Sequence, residues 1–213
     1  PSKRPPEISL YSETTLPTEW GDFRVRVYRT ADQEEHLAIY RGDLKGKEGV
    51  LTRVHSACFT AEVLGSLKCD CKSQLEYAFS MIESVGHGLI IYLFQEGRGI
   101  GLGNKIKAYA LQNERGLDTV DANTHLGFEE DGREYDIAVC ILDDLEVTAV
   151  QLMTNNPLKV KALDQAGVSV LARIPIEIGR NGVNASYLDT KQRRMGHLFS
   201  DETAEKRCLL SRQ

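Results

Sequence analysis

The chain has 213 residues, 41% of them hydrophobic and 27% charged, with a formal net charge of −5. That length suits one sizeable α/β domain or two small ones, and the negative balance excludes any global attraction to nucleic acid or anionic membranes. No apolar run reaches membrane-spanning length, and the N-terminal PSKRPPEISL lacks the apolar core of a signal peptide. Five cysteines, an odd number with three of them clustered, suit a reducing compartment, so the cytoplasm is the expected location.

Residues 1–15 are polar and carry Pro1, Pro5 and Pro6, which predicts a loose N-terminal arm ahead of a single domain over 16–199. Phe23, Val25 and Val27 alternate with polar residues, a strand signal. Two more strands are predicted over 37–40 and 50–54, separated by the turn-rich GDLKGKEG of 42–49. The second delivers Arg53, His55 and Ser56 at its end, where α/β proteins place reactive side chains.

Residues 53–71 read RVHSACFTAEVLGSLKCDC and bring Cys58, Cys69 and Cys71 together at C-x10-C-x-C spacing. Cysteines are often small buried apolar side chains, but Cys69 and Cys71 flank an aspartate in a polar segment unlike a core strand. Three soft thiolates hold Zn²⁺ well, and no fourth Cys or His stands at ligand spacing nearby. A site with three protein ligands keeps a position for water, as catalytic rather than closed structural zinc sites do. Cys140, in an apolar helical pattern, and Cys208, in the polar tail, read as structural or incidental.

Ser73 and Glu76 form a capping-box signature ahead of Leu75, Ala78, Phe79, Ile82 and Val85 at helical spacing, with Gly86 as a stop. The thiols therefore sit near a helix N-terminus, whose partial positive charge helps them ionise. GLIIYLF (88–94) reads as a strand buried on both faces. QEGRGIGLGNK (95–105) follows, with glycine at 97, 99, 101 and 103. Backbone N–H groups there could cradle an anion, with Arg98, Lys105 and Lys107 assisting, or the segment is a flexible solvated loop. Asn104 is the expected cap of the next helix, which Gly116 ends.

The polar stretch 118–135 predicts an exposed loop. A helix over 137–145, a buried strand over 149–153 and a helix begun by Thr154-Asn155-Asn156-Pro157 come next; that helix start, with Lys159 in its first turn, is an anion site. A strand over 168–176, a basic helix over 186–198 and a mobile tail over 200–213 complete the expectation. The predicted architecture is α/β, a mixed β-sheet flanked by helices in a single domain.

Taken together, RVHS–C–x10–CDC, QEGRGIGLGNKIKAYALQ, DTVDAN–LGF, LMTNNPLKV and YLDTKQRRMGH resemble GTP cyclohydrolase II of riboflavin synthesis, across about 16–198. The resemblance implies a homodimeric enzyme dependent on Zn²⁺ and Mg²⁺. It would convert GTP into formate, pyrophosphate and 2,5-diamino-6-ribosylamino-4(3H)-pyrimidinone 5′-phosphate. The family's zinc ligands fall on Cys58, Cys69 and Cys71. Its nucleotide-binding positions fall on Arg53, Val54, His55, Ser56 and Ala57, on Gln74, on Glu96, Gly97 and Arg98, and on Thr119, Thr154 and Lys159. Its proton acceptor falls on Asp131, its nucleophile on Arg133, and a tyrosine needed to complete hydrolysis on Tyr109.

Four positions depart from the family pattern: Ala57 replaces a glutamate, Lys72 a glycine, Phe94 an arginine and Gly103 a larger aliphatic residue. They leave open a specialised paralogue that opens the ring but keeps the formyl group. A non-catalytic nucleotide-binding module, its zinc closed by a fourth ligand such as His55, is the alternative from another class. An arginine stays protonated in proteins, so Arg133 reads as a clamp on the α-phosphate rather than a nucleophile.

Overall fold

The computed structural model describes residues 6–128 and 132–197. Asp131 and the tail expected over 200–213, Cys208 included, lie outside the described residues. In chain order the elements are β1 (Ile8–Thr18), β2 (Gly21–Thr30), β3 (Glu35–Arg41), β4 (Val50–Ser56), α1 (Phe59–Glu62), α2 (Cys71–Val85) and β5 (Gly88–Leu93). A 3₁₀ turn (Glu96–Gly99) leads into α3 (Gly101–Arg115), α4 (Thr119–His125), α5 (Asp136–Asp144), β6 (Ala149–Met153), α6 (Pro157–Gln165), β7 (Ser169–Ile174) and α7 (Ala185–Met195).

The strands form one mixed sheet in the order β1-β2-β3-β5-β4-β6-β7. β1, β2, β3 and β5 are joined antiparallel, whereas β5, β4, β6 and β7 run parallel. Side chains alternate between faces along each strand, and the two faces bury different partners. Leu89, Ile91 and Leu93 of β5 pack with Ile141 and Leu142 of α5 and Leu163 of α6. Ile90 packs on the opposite face with Ala78, Phe79 and Ile82 of α2. Each such fully buried side chain contributes roughly 1.5–3 kcal/mol, which is why β5 reads as an unbroken apolar run. Gly88 lets α2 approach: a Cβ there would lie 2.7 Å from Ile82 Cγ1 and 2.8 Å from the Leu51 carbonyl.

Three expectations are corrected. From Ile8 the anticipated loose arm is an edge strand, paired with β2 from Ile8↔Thr30 to Thr18↔Gly21. It is exposed along most of its length, so no apolar alternation announces it; Glu13, bonded to Arg24 and Arg26 of the neighbouring strand, helps fix it. The anticipated loop over 118–135 contains α4, started by Asp118, whose carboxylate accepts from Val120 N (2.8 Å) and Asp121 N (2.9 Å). Helices α2 and α3 begin earlier than their presumed caps: Asp70 precedes α2, and Asn104 lies inside α3 with its amide donating to the Ile100 carbonyl at 2.9 Å. Cys71 thus opens α2 itself.

The parallel part of the sheet positions the site. From β4 the chain crosses through α2 to β5 on one side, and β6 lies on the other. The carboxyl end of β4 is therefore a switch point, where open α/β sheets form a crevice. Among the described residues no helix is long and apolar enough to cross a membrane.

Candidate active site

A cleft opens at that crevice, lined by the ends of β4, β5 and β6 and by side chains from α2, α3 and α7. β4 supplies Arg53, His55 and Ser56, and Ala57 and Cys58 follow directly after it. Val54, the alternate residue, points away into the core and touches the site only through its carbonyl, which accepts from Lys159 Nζ at 2.8 Å. Strand alternation puts its side chain on the other face. Arg53 is buried and anchored, donating to the Met153 carbonyl (2.8 Å) and to Gln74 Oε1 (2.6 Å).

The sulfur atoms of Cys58, Cys69 and Cys71 lie within 4.8 Å of one another, with Cys58 and Cys69 3.6 Å apart. Tetrahedral zinc with Zn–S bonds near 2.3 Å places its sulfurs about 3.8 Å apart, so the three fit a single ion. Among the described residues no fourth protein ligand joins them. The protonation of the set also calls for a cation. Hydrogen bonds from Cys69 and Cys71, with Lys105 nearby, hold the Cys58 thiol far below its ordinary pKa. The same hydrogen bond to Cys58 pushes Cys69 up to about 11, and Cys71 is raised too by its bonds to Cys58 and Cys69. Three thiolates at this separation repel one another, and a divalent cation between them would offset that repulsion.

Around the thiols lies a shell of charged and polar side chains, of which Glu62, Tyr92 and Lys191 carry no sequence expectation. Glu62 Oε1 accepts from Cys58 N at 3.0 Å and pairs with His55 Nε2 at 2.8 Å, while Tyr92 OH donates to Oε2 at 2.5 Å. His55 is thus engaged with Glu62. Burial, only partly opposed by Glu62, lowers its pKa and keeps the imidazole neutral. Asp70, between Cys69 and Cys71, is held by Lys191 Nζ (2.9 Å) and Gln74 Nε2 (2.5 Å). Lys105 Nζ reaches Cys58 Sγ at 3.1 Å and Glu96 Oε1 at 2.7 Å. The Lys191–Asp70, Lys105–Cys58 and Tyr92–Glu62 contacts span 121, 47 and 30 residues and leave no local pattern.

The glycine-rich segment does not offer its amides as a simple cradle. Gly97 N donates to Glu96 Oε1 at 2.8 Å, and both Gly97 and Arg98 adopt left-handed backbone, at φ 64° and 63°. Such a conformation is unusual for arginine and turns the chain so that Glu96, Gly97 and Arg98 all line the cleft. Gly99 then packs on the segment before Arg133: Gly132 N donates to the Arg98 carbonyl at 3.2 Å, and a Cβ on Gly99 would lie 2.9 Å from Gly132 O. Arg133 reaches the cleft by that contact.

Gln74, Tyr109, Thr119, Thr154 and Lys159 also line the cleft, so the structure brings together every predicted site residue it describes except the Val54 side chain. Thr154 Oγ1 accepts from Asn156 N (3.0 Å), and Asn156 caps α6 by accepting from Leu158 N (2.9 Å), as the sequence predicted. Burial raises the Tyr109 phenol, which therefore keeps its proton. Tyr187, Lys191 and His197 come from α7 and its end, and burial together with the cations Lys191, Arg133 and Lys159 lowers His197 to about 3. Four buried polar atoms with no hydrogen-bond partner among the described residues, Arg53 Nε, His55 Nδ1, Ser56 Oγ and Gln112 Nε2, belong to lining residues. Burial without partners is costly, so a polar ligand or water suits them.

Of the four departures only Ala57 lines the cleft. Phe94 is 54% exposed and packs edge-on against Tyr92. Lys72 stands outside beside Glu76, and a Cβ on Gly103 would meet nothing within 4 Å.

A three-thiol donor set beside a cleft that gathers buried cations, at a sheet switch point, defines a metal-dependent α/β enzyme. Its sequence relatives specify which. The family model for GTP cyclohydrolase II matches residues 9–175, and the chain belongs to that family. It is 48% identical over 200 residues to GTP cyclohydrolase-2 of Klebsiella pneumoniae strain 342, covering 93% of this chain and 100% of that protein. To GTP cyclohydrolase-2 of Picrophilus torridus it is 46% identical over 192 residues, 90% of this chain and 100% of the relative. To riboflavin biosynthesis protein RibBA of Chlorobium phaeovibrioides it is 50% identical over 189 residues, 88% of this chain but 46% of that longer protein. Among solved structures, RibBX, a two-domain 3,4-dihydroxy-2-butanone 4-phosphate synthase from A. baumannii, aligns over 80% of this chain and 40% of its own, at 20% identity and a TM-score of 0.45.

Proposed function

We propose that this enzyme performs a zinc-dependent hydrolysis of GTP in riboflavin synthesis. It opens the imidazole ring, releases formate and pyrophosphate and leaves 2,5-diamino-6-ribosylamino-4(3H)-pyrimidinone 5′-phosphate. The observation that carries the reading is the three-thiol cluster, with no fourth protein ligand among the described residues, facing a cleft with buried Arg53 and Lys159. Cys58, Cys69 and Cys71 would hold the zinc ion, which would supply Lewis acidity for activating water at neutral pH.

The remaining roles follow from the side chains. Arg53, fixed by Met153 and Gln74, and Lys159, fixed by Val54, present cationic groups that need no reorganisation when an anion arrives. Tyr109 keeps its proton and can donate to a developing charge. Asp131, outside the described residues, is the proposed proton acceptor. Mg²⁺ accompanies the phosphates, because pyrophosphate departure concentrates charge that cations must offset. A cytoplasmic homodimer is the proposed state, supported by the exposed apolar side chains of Phe59, Val63, Leu64 and Leu67 between the first two ligands. A monomer in sedimentation velocity would remove the dimer.

The test is to incubate the metal-loaded protein with GTP and Mg²⁺ and to assay formate and pyrophosphate separately. Both products are expected. Pyrophosphate without formate would replace this reading with ring opening alone, and neither product would end it.

Two variants probe the cleft. Arg133→Lys keeps the charge but loses the planar, two-pronged donor, so we expect kcat to fall at least about tenfold. A near-normal rate would show that neither bidentate geometry nor attack by the guanidinium is needed. Gly99→Ala puts a methyl against Gly132 at a residue with φ +89°. Displacing the segment that carries Arg133 by a fraction of an ångström to about 1 Å should lower kcat between about tenfold and a hundredfold. Thermal unfolding of the same variant should move far less than its kinetics; the reverse pattern would assign Gly99 to folding.

A further inference from the structure

We propose that Lys105 is a positioning residue for the metal centre: held by Glu96, its ammonium donates to the Cys58 thiolate and draws charge away from the sulfur donors. This rests on the metal-centre reading above and adds a residue to it. Zn²⁺ with three thiolates carries a net charge near −1, which weakens its pull on a fourth ligand. Donation from a cation to one sulfur moderates that excess, in the way outer groups tune metal sites generally.

The geometry ties Lys105 to sulfur rather than to the cleft's ligand. Its Nζ lies 3.1 Å from Cys58 Sγ and 2.7 Å from Glu96 Oε1, and the two charged side chains are 12% and 15% exposed. Glu96 is itself immobilised. Its Oε2 accepts from Phe59 N at 2.6 Å, one residue beyond the ligand, and its Oε1 accepts from Gly97 N at 2.8 Å. The carboxylate thus spans the end of β5 and the start of α1, and it holds the lysine between them. Its own negative charge is shared with two amides besides the lysine, so it only partly offsets the ammonium at the sulfur. The left-handed turn makes room for the lysine stem: a Cβ on Gly97 would come within 3.1 Å of Lys105 Cβ. Two of the three donors of Lys105 are directed to the thiol and to Glu96.

The test uses protein loaded with Co²⁺ and free of substrate, in the unmodified, Lys105→Met and Lys105→Arg forms. The unmodified protein should show a thiolate-to-cobalt charge-transfer band. Without the ammonium the sulfur lone pairs lie higher, so Lys105→Met should move that band to longer wavelength, and Lys105→Arg should restore part of the shift. Zinc-loaded Lys105→Met should lose about 10- to 100-fold in kcat on GTP, with KM changed by less than about threefold. A band that does not move, or a large rise in KM with kcat preserved, would overturn the proposal and assign the lysine to substrate. Should Lys105→Met fail to fold, Lys105→Gln removes the charge while keeping a polar side chain, and it must shift the band in the same direction or the proposal fails. Absence of any thiolate band in the unmodified protein would instead overturn the metal centre itself. A shifted band with no GTP hydrolysis would leave Lys105 in place and overturn the substrate.

Discussion

Replacing Cys71 by serine should strip the protein of tightly bound metal and lower GTP turnover by about a thousandfold or more. Cys71 opens α2, its sulfur within 4.8 Å of both partner sulfurs. A serine hydroxyl stays protonated at neutral pH and is a hard, weak donor, so two thiolates remain where three held the ion. Lewis acidity worth several kcal/mol is lost with it, and each 1.36 kcal/mol is a factor of ten in rate. The sheet core does not depend on Cys71: α2 is seated by Ala78, Phe79 and Ile82 on the face beside Ile90. Far-UV circular dichroism of the variant should therefore match the unmodified protein. Atomic emission for bound metal and the formate assay provide the check. A serine variant that retains one metal per chain and turns over normally would refute the three-thiol centre, and one that unfolds while losing metal would mark the ion as structural.

Substituting Lys191 with methionine should destabilise the protein by about 3–5 kcal/mol, the usual cost of leaving one partner of a buried ion pair uncompensated. Asp70 lies between Cys69 and Cys71 with its side chain 2% exposed, and Lys191, at 11%, meets it at 2.9 Å. Burial alone would raise the Asp70 pKa, but Lys191, together with a backbone hydrogen bond and Arg53, outweighs it and the net shift is downward. With the lysine gone, Asp70 keeps only Gln74 among its side-chain partners in the described residues. For a chain of this size the loss corresponds to a fall in melting temperature on the order of 10 °C. The double substitution Asp70→Asn with Lys191→Met should recover most of it, since the stranded charge is then removed. Thermal unfolding of the three variants decides: a single-variant loss under about 1 kcal/mol would mean that α7 is docked without this pair. The point has weight because α7 lies beyond the family match at 9–175 and yet bonds to the aspartate between two ligands.

What could be read locally was read well. β5 is apolar on both faces because α2 covers one and α5 with α6 the other. The start of α6 was legible because Asn156 caps it through a bond two residues away, followed by proline at the first turn. β1 was missed because an exposed edge strand has no buried face to impose alternation. α4 was missed because a short, polar helix is dominated by its cap, and Asp118 was the signal available.

The site divides along the same line. Cys58, Cys69 and Cys71 lie close enough along the chain for their spacing to report a donor set. Only the tertiary structure decided how charge is arranged around that set: Lys105 on Cys58, Glu62 between His55 and Tyr92, Lys191 under Asp70, and Val54 turned into the core. Side-chain pattern encodes burial and short-range hydrogen bonds, whereas an ion pair across 121 residues, as between Asp70 and Lys191, depends on where the packed sheet carries each end.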